Sequence, residues 1–418
     1  MSALSSFLIY KLAQIVDSLH SLPPKMRYTI SMIAADQWSK TPRRPVFRAD
    51  LSGKTVLVVG ANTGLGLDAT KHFATMGPAR LILACRSQSR GKDAIRKLVD
   101  ATGYTKAELW LIDLGKYASV KAFADKWDAD GGRLDVLVMN AGLNMRRFEG
   151  VQDNMESSWA LFLWSAIPAT NAVPGCSVFV NNVATPLTVL RLLPSMARTA
   201  QEHGSTPRIV VVSSDVHYLS QVEKHVVETP NMLQTLLDEQ FCKSKDGGMG
   251  SRYPPYQMCV EFCPLPLLTS RHTVLNVFFT RAFASHLGST AGVTTIACNP
   301  GYCYSQLRRN LPLALKIVDK FLELTMALPT EIGARQIVWA ALAQENAPAK
   351  NAKNSAPLKV TNGAYVSMSE VREVSDYVLS EEGQTIETRL WSELIEILSK
   401  ADSKIPAIVE TYLQRARI

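Results

Sequence analysis

The chain has 418 residues, which allows two or three domains or one enlarged α/β domain. Hydrophobic residues make up 47% and charged residues 20%, values that exclude a wholly disordered, collagen-like or disulfide-scaffold protein. Lys and Arg number 45 against 37 Asp and Glu, a net charge of +8, and no dense basic run occurs. We therefore expect no nucleic-acid partner.

The N-terminal 50 residues predict a helical extension. Apolar residues within 5–20 fall near helical spacing, and two interpretations stay open: a helix that packs on the main body, or a helix that contacts a membrane surface. Lys11 and Asp17 interrupt the apolar part, which argues against a signal peptide and a membrane span. Seven scattered cysteines without a zinc-like CxxC pair predict a reduced, cytoplasmic protein without a metal site. The protein would either diffuse freely or lie at the surface of an intracellular membrane.

An uncharged stretch runs from Trp159 to Leu190, where no Asp, Glu, Lys or Arg occurs. The stretch is long enough to cross a bilayer, but Pro168, Pro174 and Pro186 fall inside it. Several prolines are costly in hydrocarbon, so we do not expect a transmembrane helix.

Continuous apolar, β-branched runs alternate with helical segments after residue 50, a pattern typical of a parallel sheet. The alternation predicts an α/β fold, a Rossmann-type doubly wound parallel sheet with helices on both faces. The predicted strands are 54–59, 80–85, 108–114, 134–139, 208–213 and 293–298, and the predicted helices are 66–76, 91–101, 120–127 and 274–287.

A glycine-rich turn joins the first predicted strand to the first predicted helix. Glycine is needed where a Cβ atom would block a phosphate or force a strained φ, and the following helix N-terminus offers N–H groups to a pyrophosphate. The turn therefore predicts a dinucleotide site. The candidate cofactor-binding residues are Gly60, Asn62, Thr63, Gly64, Leu65 and Gly66.

The end of the second strand indicates which dinucleotide is preferred. An enzyme that uses NAD usually places an acid here for the ribose 2′-hydroxyl, whereas this loop offers Arg86, with Arg90 and Lys92 nearby. A guanidinium suits a 2′-phosphate, so the loop favours NADP(H). The alternative interpretation is a solvated basic loop.

Further motifs follow in an ordered series: Asp113-Leu114, Asn140-Ala141-Gly142, Ser213-Ser214 and Asn299-Pro300-Gly301. Together with the glycine-rich turn they resemble the short-chain dehydrogenase/reductase superfamily, in particular its fungal retinol-dehydrogenase-like branch. The resemblance covers about residues 51–310 and a C-terminal tail. It implies that Asp113 contacts the adenine, that Asn140, Ala141 and Gly142 line the adenine-ribose side, and that Pro300, Gly301 and Ser305 lie against the nicotinamide.

The resemblance also implies three catalytic residues. Ser214 would polarise the substrate oxygen, Tyr253 in Arg252-Tyr253-Pro254 would act as general acid/base, and Asn181 would position a proton-relay water, with Asn182 as the weaker candidate. The family's Lys, four residues after the Tyr, is absent, because position 257 is Gln. His217 near Ser214 either touches substrate or is a structural loop histidine.

Two segments interrupt this pattern, near 159–179 and 255–272. Each falls where the family is continuous, and neither has a helical period. We interpret them as translated introns, retained by a gene model or a splice variant; the alternative is genuine lineage-specific loops.

The sequence thus predicts one enlarged domain over 51–418, with a C-terminal helical cap region. The apolar segment 311–328 is either a cap over a substrate pocket or ordinary core packing. The expected activity is hydride transfer between NADP(H) and a small lipophilic alcohol or carbonyl compound, in secondary metabolism. A homodimer is one of the arrangements that stay open. The alternative is an NADP-binding protein with little or no catalysis, because the Tyr-x-x-x-Lys pair is disrupted.

Overall fold

The computed structural model of the protein describes residues 24–39, 44–130, 132–142, 150–151, 173–174, 177–238, 270–288, 291–304, 320, 322–343 and 362–414. The candidate membrane-contacting segment 5–20 lies outside these ranges. So do most of the insert-like segments 159–179 and 255–272, and about half of the apolar segment 311–328.

Ten strands lie within the described residues. They are β1 Thr55–Val59, β2 Arg80–Cys85, β3 Ala107–Leu111, β4 Val136–Met139, β5 Gly150–Val151, β6 Val173–Pro174, β7 Arg208–Val212, β8 Thr294–Asn299, β9 Ala364–Ser367 and β10 Glu370–Arg372. Eight of them form one sheet in the order β10-β9-β8-β7-β4-β1-β2-β3, and β5 pairs with β6 alone. Every neighbouring pair of the large sheet is parallel except β9 with β10. The strand order reverses between β1 and β4, and in such sheets ligands bind at the carboxyl ends of the strands beside that reversal.

Helices flank the sheet on both sides. They are α1 Pro24–Trp38, α2 Gly64–Ala74, α3 Gln88–Thr102, α4 Tyr117–Asp130, α5 Thr185–His203, α6 Ser270–His286, α7 Thr330–Leu342, α8 Glu381–Ala401 and α9 Ile405–Tyr412. Shorter helical pieces are Ser177–Phe179, the π-helical turn Val180–Ala184, the 3-10 turn Asp215–Leu219, Lys224–Val227, Met232–Leu237 and Asp376–Leu379. The predicted Rossmann-type α/β fold is confirmed.

Alternation along the central strand divides the core into two layers. Leu57 and Val59 belong to the layer that also holds residues of α4, α5, α6 and α8, whereas Val56 and Val58 belong to the layer with α2, α3 and α7. This follows from the two-residue period of a strand, in which successive side chains point to opposite faces. Both faces of the sheet are therefore covered, which explains the continuous apolar run of β1.

The uncharged stretch identified in the sequence ends in buried helix. From Val178 to Leu193 nearly every described side chain is buried, and Arg191 is the first charged residue. The described part of the stretch lacks charge because it packs in the core. No helix within the described ranges combines the length and apolarity that a membrane crossing requires.

Candidate active site

The turn between β1 and α2 requires glycine at two positions. Gly60 has φ +86°, and a Cβ atom there would lie 2.7 Å from the Cα of Ala141. At Gly66 a Cβ atom would lie 2.2 Å from the carbonyl oxygen of Gly60. Close backbone packing leaves no room for side chains, so the turn stays narrow and its backbone can approach a phosphate.

The N-terminus of α2 fits an anion. Thr63 occupies the N-cap in an extended conformation, but its side chain makes no capping hydrogen bond, and the first turn contains no acidic residue. The positive end of the helix dipole is thus not neutralised by the helix itself. A pyrophosphate would satisfy these N–H groups, and Asn62, Gly64 and Leu65 lie on the same turn.

The segment after β4 locks this turn from the neighbouring strand. The backbone N–H groups of Asn140 and Ala141 both donate to the carbonyl of Val59, at 3.1 and 2.9 Å. The side-chain amide of Asn140 donates to the carbonyl of Gly60 at 3.0 Å. Asn140 therefore braces the phosphate turn rather than pointing away from it.

Gly142 connects this segment to the candidate catalytic asparagine. It is exposed, and a Cβ atom added there would lie 3.5 Å from Oδ1 of Asn181. Asn181 sits in the π-helical turn Val180–Ala184, an irregularity often found at functional positions. The structure thus brings Asn181 to the carboxyl end of β4.

Asn182, the weaker candidate, has a structural role. It is 3% exposed, and its amide donates to Oδ1 of Asn276 at 2.7 Å. Asn276 in turn donates to the carbonyl of Val212 at 3.3 Å. These two hydrogen bonds connect the π-helical turn to α6 and β7.

Two predicted cofactor contacts follow β2 and β3. Arg86 is exposed, and the described residues offer its guanidinium no carboxylate partner. The half-buried Asp113 accepts a hydrogen bond from the N–H of Gly115 at 3.0 Å through Oδ1, and its own N–H donates to Ser119. The backbone around Asp113 is therefore fixed at the end of the sheet where the phosphate turn lies.

The serine pair after β7 divides into one structural and one candidate catalytic residue. Ser213 is 6% exposed and donates to the carbonyl of Thr273 at 3.0 Å. Ser214 is half-buried, and its Oγ accepts from the N–H of Val216 at 3.3 Å as the N-cap of the 3-10 turn. The described residues give the Ser214 hydroxyl no acceptor, so it can donate to a ligand.

His217 is a structural residue. It is fully buried, its Nδ1 lies 2.9 Å from the carbonyl oxygen of Ser214, and its Nε2 accepts from the N–H of Ser375 at 3.3 Å. Burial lowers the pKa of His217 to about 4, so the ring is neutral at pH 7. Of the two interpretations of the sequence, the loop histidine is the one that this geometry matches.

The loop after β8 is held by the N-terminal helix. Gly301 has φ +84°, and its N–H donates to Oδ1 of Asn299 at 3.1 Å. The side chain of Gln37 in α1 accepts from the N–H of Tyr302 at 3.1 Å and donates to its carbonyl at 2.5 Å. Pro300 and Gly301 thus lie in a fixed turn at the carboxyl end of β8.

A buried acid that was not predicted from the sequence lies beside the candidate catalytic serine. Asp215 is 5% exposed; Tyr365 donates to its Oδ1 at 2.7 Å and Ser367 to its Oδ2 at 3.3 Å. Burial raises the pKa of Asp215 to about 6. The one available signal was an acid placed directly after a serine pair at a strand end, but nothing in the sequence pairs it with β9.

Several predicted residues lie outside the described ranges. These are Tyr253, the candidate general acid/base, Ser305, and Gln257, which stands where the family has Lys. Ser214 follows β7, and Asn181 lies beside Gly142, which follows the neighbouring strand β4, so both lie at the edge of the sheet that holds the phosphate turn. No cluster of metal-binding side chains occurs among the residues that the structure describes.

Comparisons with known proteins match this arrangement. The family model for short chain dehydrogenase matches residues 54–223. The short chain dehydrogenase/reductase dmxR8 of Cryptosporiopsis sp. (strain 8999) is 28% identical over 374 residues, 88% of this chain and 96% of the relative. The short chain dehydrogenase sol3 of Alternaria solani is 30% identical over 262 residues, 63% of this chain and 76% of the relative.

Among solved structures, salutaridine reductase from Papaver somniferum is 18% identical with a TM-score of 0.46, covering 71% of this chain and 97% of that one. The sheet order and the glycine turn define a Rossmann-type dinucleotide-binding protein. The chain belongs to the short-chain dehydrogenase/reductase family, a family of oxidoreductases that bind NAD(P)(H).

Proposed function

We propose that the protein is an NADP-dependent oxidoreductase that interconverts a lipophilic alcohol and the corresponding carbonyl compound. The observation that carries the choice of cofactor is the exposed Arg86 at the end of β2, without a carboxylate partner among the described residues. A guanidinium can bind a 2′-phosphate with two parallel hydrogen bonds, whereas an acid at this position would repel it.

The described residues fit this cofactor along its length. Gly60, Gly64 and Gly66 form the narrow turn that we assign to the pyrophosphate, and we assign Asp113 to the adenine and Gly301 to the nicotinamide, as the family resemblance implies. When bound, NADP(H) supplies or accepts the hydride, so the protein has to orient the substrate and move one proton.

The residues proposed to bind the substrate oxygen and move the proton lie after β7 and in the π-helical turn. Ser214 can donate a hydrogen bond to a substrate oxygen, and Asn181 lies beside Gly142, which follows the adjacent strand, β4. Tyr253 is the proposed general acid/base. Because a tyrosine has a pKa of about 10, only about one in a thousand is ionised at pH 7, and without an ammonium nearby base catalysis weakens.

A second candidate function is cofactor binding with little turnover. One observation favours it: position 257 holds Gln where the family has the Lys that lowers the pKa of the tyrosine. Both functions require NADPH binding, so the two differ in turnover and not in NADPH affinity.

The substrate class rests on the apolar composition of residues 311–328 and on the family. We extend the proposal to secondary metabolism on the predicted fungal branch, since the two relatives named above come from fungi. A panel of aldehydes and ketones of increasing chain length, with NADPH oxidation followed at 340 nm, tests both the substrate class and the presence of turnover.

Cofactor choice is tested by fluorescence titration of NADPH and NADH against wild type and Arg86→Ala. We expect Arg86→Ala to weaken NADPH binding by about tenfold or more while leaving NADH unchanged. Arg96→Ala is the matched control, because Arg96 is exposed on α3 and pairs with Asp93. Equal losses for both cofactors, or an equal effect of the control, would contradict the assignment of NADP.

A further inference from the structure

A directed hydrogen-bond chain links the loop after β8 to the end of β7. The N–H of Gly301 donates to Oδ1 of Asn299 at 3.1 Å, and the Asn299 amide donates to Oγ of Ser367 at 3.1 Å. Ser367 donates to Oδ2 of Asp215 at 3.3 Å. Each donor points along the chain toward one carboxylate.

The three side chains in the middle of this chain are almost completely buried. Asn299 is 2% exposed, Ser367 is fully buried and Asp215 is 5% exposed. A buried carboxylate that accepts every donor offered to it holds its neighbours more firmly than a neutral acceptor would, since charge-assisted hydrogen bonds are the stronger ones. Loss of the acceptor would leave buried donors without a partner.

The Asp215 carboxylate accepts from a second donor, which is not part of the hydrogen-bond path to the loop after β8. Tyr365 donates to Oδ1 of Asp215 at 2.7 Å, from the same strand, β9, that carries Ser367. Removing the Tyr365 hydroxyl therefore disturbs the acid without cutting the path to Gly301. The two donors of one strand thus form a natural matched pair.

We propose that Asp215 is a positioning residue, which couples the strand end carrying Ser214 to the cofactor loop at Gly301 through Ser367 and Asn299. Through this path the acid holds the nicotinamide end of the cofactor site in register with Ser214. The inference rests on the proposed NADP-binding function.

The ionisation of Asp215 sets when the path is complete. The ionised carboxylate accepts from Ser367 and Tyr365 more strongly than a protonated carboxyl, because the O–H of a protonated carboxyl needs an acceptor of its own. Around Asp215 stand Tyr365 on β9, Cys298 on β8, Arg372 on β10, Asp36 on α1, and Tyr218 and His217 on its own turn. Burial is the largest influence and raises the pKa of Asp215 to about 6, while the hydrogen bond from Tyr365 and the charge of Arg372 oppose the rise. The path is therefore complete above pH 6.

The test compares two ligands that share everything except the nicotinamide end. NADPH and 2′-phospho-ADP-ribose are titrated by calorimetry at pH 8 against wild type, Ser367→Ala and Tyr365→Phe. The ratio of their dissociation constants isolates the nicotinamide end, and it cancels the titration of the 2′-phosphate that both ligands carry.

We expect Ser367→Ala to weaken NADPH relative to 2′-phospho-ADP-ribose by about three- to tenfold, the worth of one buried hydrogen bond. Tyr365→Phe should leave the ratio at the wild-type value. In wild type the same ratio should shift against NADPH between pH 8 and pH 5, and in Asp215→Asn it should not depend on pH. Asp135→Asn is the control for loss of a buried carboxylate, since Asp135 binds Thr55 and Arg133 away from the loop.

An unchanged ratio in Ser367→Ala, or equal changes in Ser367→Ala and Tyr365→Phe, would overturn the role of Asp215. Failure of wild type to bind either ligand would instead overturn the proposed cofactor, and the inference with it. If wild type binds 2′-phospho-ADP-ribose but not NADPH, the phosphate end of the site binds its ligand and the loop after β8 does not hold the nicotinamide. That result would also overturn the role of Asp215.

Discussion

The side-chain amide of Gln37 pairs with the backbone of Tyr302 in both directions, as one strand pairs with another. Its Oε1 accepts from the Tyr302 N–H, and its Nε2 donates to the Tyr302 carbonyl and, at 3.0 Å, to that of Met326. Gln37 is 2% exposed. A residue before the Rossmann domain thus holds the loop at the end of β8.

Replacing Gln37 by Ala should therefore loosen this loop. The variant loses the hydrogen bonds that Gln37 makes with the backbone of Tyr302 and Met326, and we expect a cost of about 1–3 kcal/mol of the free energy of unfolding. Chemical denaturation measures the loss, and an NADPH titration measures the expected weaker binding. Trp38→Phe is the control, because Trp38 is mostly exposed and its ring donates a single bond to Thr325. If both variants lose equally, the loop does not depend on Gln37.

The phosphate turn gives a second prediction. Ala normally stabilises a helix relative to Gly, yet Gly66→Ala should destabilise this one and abolish NADPH binding, since its Cβ atom would collide with the Gly60 carbonyl and the Asn140 amide. We expect a loss of at least about 1–3 kcal/mol, the range for overpacking. Gly142→Ala makes, with the residues that the structure describes, an ordinary contact at 3.5 Å and should keep near-wild-type stability. Denaturant unfolding of the two variants compares them directly.

The core contains a buried cation whose removal should be costly. Arg191 is 2% exposed and forms hydrogen-bonded ion pairs with Asp402, Asp125 and Asp128. Arg191→Met should lower the free energy of unfolding by about 3–5 kcal/mol, because Asp402 stays buried without its partner. Lys404 contacts the same two exposed acids, Asp125 and Asp128, from the surface. Lys404→Met should cost less than about 1 kcal/mol, and similar losses in both variants would contradict the difference in burial.

Neighbouring groups on the 3-10 turn should give opposite pH dependences of stability. Asp215 keeps its proton in the folded state up to about pH 6, whereas an unfolded Asp loses it near its ordinary value of 3.8. Its contribution therefore falls as pH rises from about 4 to 6. His217 stays neutral down to about pH 4, whereas an unfolded His gains a proton near 6.5, so its contribution falls as pH drops from 6.5 to 4.

The pH dependences of stability from Asp215 and His217 offset each other in wild type, and single variants should separate them. Between pH 4 and 6, the Tm difference between Asp215→Asn and wild type should move in favour of the variant as pH rises. The difference between His217→Gln and wild type should move against the variant over the same range. Thermal melts at half-unit pH steps measure both differences, in which all other titrating groups cancel. Slopes of equal sign would show that one of the two pKa assignments is wrong.

The sequence predicted the sheet up to β8 because β-branched runs bounded by turn residues are strong local signals. Boundaries moved by a few residues: the first Rossmann helix begins at Gly64 and not Gly66, and the third strand ends at Leu111, before Asp113. The edge strands β9 and β10 have four and three residues, too short to show a period, and β9 was predictable only as part of the C-terminal tail that resembles the family.

The candidate site was predictable where it is local and not where it is distant. Strand ends can be recognised from the residues beside them, and three parts of the site come directly after a strand: the glycine turn, Asn140 and Ser214. Asp215 and Ser367 stand 152 positions apart, and no spacing in a sequence connects two such residues. The role of Gln37 was hidden for the same reason, since its partner Tyr302 lies 265 positions away.

The long separation between Asp215 and its donors has a consequence for synthesis. A ribosome that has completed β8 has produced the entire phosphate turn, Ser214 and Asn299, but neither Tyr365 nor Ser367. Until β9 joins the sheet, the Asp215 carboxylate lacks the donors Tyr365 and Ser367. Burying it would then cost more free energy than leaving it exposed to water. The nascent chain should therefore acquire the pyrophosphate half of its cofactor site before the nicotinamide half, and a stop codon between the two strands would yield a protein that has the first without the second.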